Sequence, residues 1–471
     1  VVEHQKLERK NLSIIGILLM GHFLGLLSET IMNVALPNIM GDFGVNTNIA
    51  QWLTTGYMLV IGISIPVSAY LMEKFTVRQL YITALTVYVI GSLLAFTAPE
   101  FYVLLIGRLV QATGTGIIMP LAMNVIMTVT PVRIMGTMIG VYNLVLLFAP
   151  SIGPVFSGLV IEFYSWRMIF LIIVILSVLV LIPAVLFLRN VTEQTNPKID
   201  VWSVALSTAG FGLTVVAFSG FGAEGGLTNP SVWLMLAIGL SSILIFARRQ
   251  TRISNPLLIM KPFRSSIFAK SMVMILLLMM LQFSMMLILP VYFQTVADLS
   301  ALETGILMLP GGIVLAITTM AAGRLFDKIG HKPLLLTGIV IMLGVLTVFT
   351  TISPETGLLT AMIMYALFTL GLGLNLSPVT SLALNQVERS ISAHGSAITN
   401  TINQISGAIG PALFTSIMTM TSQIYSNNNA GASEMDAMTQ GVHMVYYVAI
   451  GFALIALVII LSIRKTPVKT D

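Results

Sequence analysis

One carboxylate, Glu29, falls in the middle of an apolar run that extends from about residue 12 to residue 37. Such a group costs on the order of 3 kcal/mol on membrane-insertion scales, so it must face a protein interior or a water-filled cavity. Desolvation penalises its charged form. A group that takes a proton from one side and releases it to the other is what an ion-coupled carrier requires, and the same carboxylate attracts a cation. At helical periodicity His22 and Asn33 share the stripe of Glu29, with small Gly25 between them. The competing reading makes Glu29 half of a static hydrogen-bonded pair and His22 a link to a neighbouring helix.

Arg108 lies roughly 10 Å inside another apolar run, and Gln111 is one turn further along. Either Arg108 snorkels to the surface, or it is a cation that tunes Glu29 from within a cavity. The other embedded amides, Asn143, Gln282, Asn375, Asn400, Asn403 and Gln404, either line that cavity or join helices. Some of the 29 Met residues give a deformable wall; most are lipid-facing or core.

These groups need a frame. Of 471 residues, 56% are hydrophobic and 9% charged, against about 25% charged in a soluble domain. Lipid is the solvent that tolerates such a surface, and its dry core admits only helices or closed barrels. The apolar runs are long and continuous, so helices are expected. Breaks at charge clusters and Pro/Gly turns give fourteen spans: 12–37, 49–72, 79–98, 101–127, 134–162, 166–188, 200–221, 230–247, 266–296, 302–327, 332–352, 356–384, 393–424 and 442–464. The polar stretch before the first span does not resemble a secretory signal. Zero cysteines exclude disulfides and thiol chemistry.

With both termini cytoplasmic, every Lys and Arg except Arg108 and Arg167 falls on the inner side, and the outer loops carry acids. This is the usual orientation bias, so the net charge of +5 is a topology signal and no nucleic-acid partner is implied.

Two segments recur. Ala69-Tyr-Leu-Met-Glu73-Lys74-Phe is matched 254 residues later by Gly323-Arg-Leu-Phe-Asp327-Lys328-Ile, and Ile152-Gly153-Pro154 is matched 257 residues later by Ile409-Gly410-Pro411. Duplicated halves are common in transporters. The shared offset predicts two six-span bundles, 1–190 and 261–471, separated by a 191–260 linker that holds two inserted spans.

The chain resembles the major facilitator superfamily, and within it the fourteen-span drug:proton antiporters. The resemblance rests on Thr30-Ile-Met-Asn33-Val-Ala-Leu36-Pro37, on Gly107-Arg108-Leu-Val-Gln111-Ala-Thr-Gly114-Thr-Gly116, on Pro150-Ser-Ile-Gly153-Pro154-Val-Phe-Ser-Gly158 and on Trp166-Arg167-Met-Ile-Phe170. It implies a major facilitator fold in the cell membrane. Gly140, Pro150, Gly153, Pro154 and Gly158 would form an exporter's gating helix, and Glu73, Lys74, Arg78, Gly323, Asp327 and Lys328 a cytoplasmic latch. Aligned on Thr30 to Pro37, the family's usual acid falls at Ser28. Moving it to Glu29 rotates it by about 100°. Either the longer side chain reaches the same cavity, or coupling uses a different geometry.

No GxxxxGK[ST] loop appears, which argues against ATP-driven export, and no cluster of embedded His, Asp or Glu suggests an enzyme, a metal site or a cofactor. The expected function is multidrug efflux by drug/proton antiport through alternating access, for lipophilic monocationic or neutral compounds, by a single chain in contact with membrane lipids. The alternatives are a sodium-coupled exporter and a proton-coupled metabolite carrier of the same fold.

Overall fold

A computed structural model describes residues 9–131, 134–191, 194, 200–223, 226–253, 256–388, 391–429, 431 and 433–463. It is all helical. In chain order the helices are α1 (Arg9–Phe43), the single turn α2 (Thr47–Ala50), α3 (Trp52–Lys74), α4 (Val77–Phe96), α5 (Phe101–Val129), α6 (Met135–Phe163), α7 (Arg167–Phe187), α8 (Val201–Gly220), α9 (Pro230–Gln250), α10 (Ser266–Thr295), α11 (Ala301–Ile329), α12 (His331–Phe349), α13 (Leu358–Leu384), α14 (Ser392–Asn428) and α15 (Glu434–Ser462). Among the described residues, twelve are long and apolar enough to cross a membrane. The expected count of fourteen spans is met by only these twelve: α3 and α14, which fall on the expected spans 49–72 and 393–424, are long but not among them. Both are walled in by protein: α3 by α5, α14 and α8, and α14 by α10, α3, α15 and α8. A helix covered by its neighbours can hold Ser, Thr, Asn and Gln that lipid would reject.

Local chemistry sets the boundaries. Capping boxes start three helices: Thr76 with Gln79 at α4, Ser300 with Glu303 at α11, and Ser433 with Asp436 at α15. Gly330, at φ 76°, makes the turn between α11 and α12, a conformation that glycine adopts without steric cost.

The packing repeats along the chain. In the first part α1 meets α6, α3 meets α5, α4 meets α5 and α4 meets α7; in the second, α10 meets α14, α11 meets α13, α12 meets α13 and α12 meets α15. The same device recurs at matched places. A Cβ on Gly107 of α5 would meet Ala95 N of α4 at 2.8 Å, and one on Gly371 of α13 would meet Gly338 O of α12 at 2.6 Å. Such backbone approach, permitted by small residues, fixes the rotation of α5 and hence the direction of Arg108.

The two most extensive contacts between these parts are α6 with α11 and α3 with α14, and α1 also meets α10. The pair α8 and α9 pack on each other, and α8 lies along the second of these seams. Ser219 at its end accepts hydrogen bonds through Oγ from Gln51 Nε2 (3.3 Å) and Trp52 Nε1 (3.0 Å) of the α3 side. Ser416 Oγ of α14 donates to Phe218 O (2.7 Å). Near the C-terminal end of α1, Arg167 Nη1 pairs with Asp42 at 3.3 Å, and Trp166 Nε1 donates to the same carboxylate at 2.7 Å.

Candidate functional site

Arg108 does not snorkel. It is fully buried, and its guanidinium fork donates to Leu53 O (Nε, 3.2 Å), Gln111 Oε1 (Nη1, 2.6 Å) and Ser28 O (Nη2, 3.1 Å). The Tyr57 ring lies 4.0 Å from its Cζ, a cation–π contact. No carboxylate among the described residues stands within salt-bridge distance of it. Gln111 Nε2 in turn donates to Ser28 Oγ (3.1 Å) and Ser92 Oγ (2.8 Å). Tyr57 Oη bonds Thr115 Oγ1 at 2.7 Å and Gly25 O at 3.1 Å. The network therefore ties α1, α3, α4 and α5 together. Arg108, Gln111 and the first-span motif are joined as their sequence positions suggest. Tyr57, Ser92 and Thr115 carry no charge or spacing signal and were not singled out.

Glu29 points elsewhere. It is 4% exposed, and its side chain lies near Gln404 of α14, in the other part of the chain. Glu29 Oε2 and Gln404 Oε1 are both buried without a partner. Two acceptors thus lie desolvated near one another, an arrangement that is costly until a donor arrives. Gln404 reaches this place because α3 and α14 touch at Gly62, whose Cβ would meet Gln404 Cβ at 3.3 Å. The helical offset between Ser28 and Glu29 therefore separates two environments: position 28 faces α5, and position 29 faces α14.

The remaining members of the stripe go to different partners. His22 is fully buried, stacks on Tyr142 of α6 with ring centroids 4.8 Å apart, and has no hydrogen bond at either nitrogen. Asn33 Oδ1 accepts from Thr54 Oγ1 at 3.4 Å, while its Nδ2 is unpartnered. The side chain of Asn143 lies outside the described residues.

Along α6 the small residues separate into two groups. A Cβ on Gly153 would meet Thr30 Cβ of α1 at 3.1 Å, and one on Gly158 would meet Leu302 Cα of α11 at 2.9 Å. Across the same seam a Cβ on Gly305 of α11 would meet Pro154 O at 2.6 Å. Pro150 and Pro154 lie inside the helix without interrupting it. Gly140 is exposed and has nothing within 4 Å of a Cβ, so it takes no part in this packing.

At the other end of the helices Lys74 Nζ donates to Tyr70 Oη (3.0 Å), and Arg78 Nη2 to Val185 O (2.8 Å), both within the first part of the chain. Glu73 acts electrostatically on His394 of α14. Gly323 lies against Ser377 of α13, with 2.9 Å from its Cβ position to Oγ, and Lys328 is exposed. The side chain of Asp327 is outside the described residues.

This two-part, small-residue-packed arrangement with buried polar groups at its seams is that of a membrane carrier. The family description Major Facilitator Superfamily matches residues 18–411. The chain belongs to the Major Facilitator Superfamily. It is a multi-pass membrane transport protein, not an enzyme. The chain is 38% identical to the uncharacterized MFS-type transporter YcnB of Bacillus subtilis (strain 168), over 96% of this chain and 95% of that one. It is 37% identical to the lincomycin resistance protein LmrB of the same organism, over 94% and 93%. Among solved structures, a bacterial homolog of the human lysosomal transporter Spinster, inward-facing and unoccupied, superposes with a TM-score of 0.70 over 97% of each chain at 15% identity. That likeness bears on fold alone.

Proposed function

We propose that this Major Facilitator Superfamily transporter is a fourteen-span multidrug exporter that exchanges protons for lipophilic monocationic or neutral drugs. The bundles are α1 with α3–α7 and α10–α15, roughly residues 1–190 and 261–471. The inserted pair α8–α9 lies in the 191–260 segment, and both termini are cytoplasmic. The kinship to a lincomycin resistance protein supports a drug substrate. The observation that carries proton coupling is Glu29, a buried carboxylate on α1 with one unpartnered oxygen, near Gln404 of α14. A proton on Glu29 turns the carboxylate into a donor as well as an acceptor, which lets it satisfy Gln404 Oε1 and draw α1 to α14. Its loss removes that donor and leaves a charge that attracts a cationic drug. One proton exchanged for one monovalent cation moves no net charge, so a pH difference of one unit supplies about 1.4 kcal/mol, or tenfold accumulation.

The test is drug-dependent proton flux in everted vesicles, with sodium varied. Glu29→Gln should reach the membrane at normal levels yet lose coupled efflux by tenfold or more. Unimpaired efflux in that variant removes the assignment. Flux that follows sodium and ignores pH favours the sodium-coupled alternative.

A further inference from the structure

The end of α8 is bonded from both parts of the chain at one residue, Ser219. Its Oγ accepts from Gln51 Nε2 at 3.3 Å and from Trp52 Nε1 at 3.0 Å, and its backbone oxygen accepts from Asn48 Nδ2 at 3.1 Å. From the other side Ser416 Oγ of α14 donates to the preceding carbonyl, Phe218 O, at 2.7 Å. The last carbonyls of a helix lack partners within it and carry the negative end of its dipole. Donors from the two walls of the α3–α14 seam therefore converge on the same helix end.

The two walls hold α8 differently. Against α14 the approach is backbone to backbone: a Cβ on Gly222, just past α8, would meet Ser416 Cα at 2.7 Å. The α8 helix also meets α14 more extensively than it meets α3. Small-residue contact of this kind keeps two helices together as one body. Towards α3 the directional hold is made by side chains. Gln51 is fully buried and gives its amide protons to Asn48 Oδ1 (2.9 Å) and to Ser219 Oγ, and the indole N–H of Trp52 can only donate. Met58 and Leu59 of α3 and Val215 of α8 join Ala408 and Ala412 of α14 in an apolar cluster at this junction. Apolar contact is non-directional, so the bonds at Ser219 are what give the junction a defined closed position.

Carriers of this superfamily move one bundle against the other, so the α3–α14 seam has to part at one end at a time. We propose that Ser219 is a positioning residue for transport. It clasps the α8–α9 pair, carried with α14, onto Gln51 and Trp52, and so sets how often the seam opens at this end. The inserted pair is then a strap across the seam. This goes beyond the drug-export reading, because it is independent of the cargo and of the coupling ion.

The chain has no cysteine, so one introduced thiol reports alone. Thr55 is fully buried and shares a helix face with Met58 and Gly62, which lie against Gly407 and Gln404 of α14. A thiol in place of Thr55 is covered until the seam parts. In nanodiscs holding the full chain, the rate at which Thr55→Cys reacts with a membrane-impermeant maleimide measures the opened fraction, with no drug or proton gradient present. Ser219→Ala leaves two donors unpaired and should raise that rate roughly fivefold or more. Trp52→Phe keeps an aromatic ring, removes the donor and should raise it about two- to fivefold. The two changes together should stay within about twofold of Ser219→Ala alone, because they break one shared bond. Ser177→Cys, buried on α7 where it packs on α4, reports general loosening, and its rate should not change. Unchanged Thr55→Cys rates in both variants, independent effects of the two changes, or a parallel rise at Ser177→Cys overturns the clasp.

Discussion

Arg108 donates to the backbone oxygen of Ser28 at 3.1 Å, so the residue one position before Glu29 is already the partner of the buried arginine. Ser28 also accepts through Oγ from Gln111, and both its groups are spent inside α1, α4 and α5. The carboxylate one residue on is thereby released from Arg108 as a direct partner. Its side chain lies near Gln404 of α14 instead. A one-residue shift on a helix thus changes which half of the molecule an acid addresses.

Arg108 is consequently a structural cation as well as an electrostatic one. Arg108→Lys keeps the charge but cannot span Leu53 O, Ser28 O and Gln111 Oε1 with one planar fork. Each buried acceptor left unpaired costs about 1–3 kcal/mol. The expected outcome is a lower thermal midpoint of the purified protein for Lys, and a larger fall for Ala. A lysine variant that unfolds with the wild type would show that the fork carries no stability.

The glycines of α6 give a contrast within one helix. Gly158→Ala places a methyl against Ala301 O and Leu302 Cα, which are backbone and cannot swing aside. Gly140→Ala enters open space. Efflux should fall at least tenfold in the first and stay within about twofold of wild type in the second, with equal amounts in the membrane. Equal activity of both variants would mean that closure of the α6–α11 seam is not needed for transport.

Outside the spans, Asp200 precedes α8 and accepts from Arg249 Nε and Nη2 at 2.7 and 2.8 Å. The Arg249 guanidinium holds its carboxyl down at about 2, with help from Ser203. In an unfolded chain the group titrates near about 3.9. Its folded value is the lower one, so its stabilisation is fully present above the unfolded value and is lost as pH falls towards 2. Asp200→Asn should therefore unfold at a lower temperature than wild type at pH 7, and the gap should narrow by pH 3. A gap of constant size at both pH values would assign the effect to shape instead of charge.

Much of the architecture is legible in the chain because lipid imposes coarse rules. Continuous apolar runs mark the long helices, and glycine pairs such as Gly153 and Gly410 mark matched packing places: a Cβ on Gly410 would meet Met280 Cα of α10 at 2.7 Å. The helices α3 and α14 blur this reading: both are long, but neither is apolar enough to be recognised as a span, and protein covers both. At the site, Glu29 is visible as an acid where acids are costly. Its direction is not, because Gln404 lies 375 positions away in the chain and meets it only through the Gly62 contact. Gln282 and Gln404 look alike as embedded amides. Both leave Oε1 unpaired; what distinguishes them is the neighbour each meets, a property of three-dimensional packing.

The charge of the substrate follows from where acids can reach. A second desolvated positive charge needs a second negative partner. In α10–α15 the acids with described side chains lie at helix beginnings, and two are occupied there: Glu303 Oε2 accepts from Ser300 N at 2.8 Å, and Asp436 Oδ2 from Ser433 Oγ at 2.7 Å. These capping bonds hold both carboxylates at their helix ends. On the α1 side, Asp42 is committed to Arg167 and Trp166, and Arg108 repels any further cation near Glu29. Export of an ethidium-like monocation should therefore exceed that of a bis-quaternary compound of similar size by tenfold or more in matched everted-vesicle assays. Freeing Glu303 by Ser300→Ala should not raise dication export, since the acid remains at the start of α11. Equal coupled transport of both charge classes by the wild type would require an acid other than Glu29 to enter the transport path.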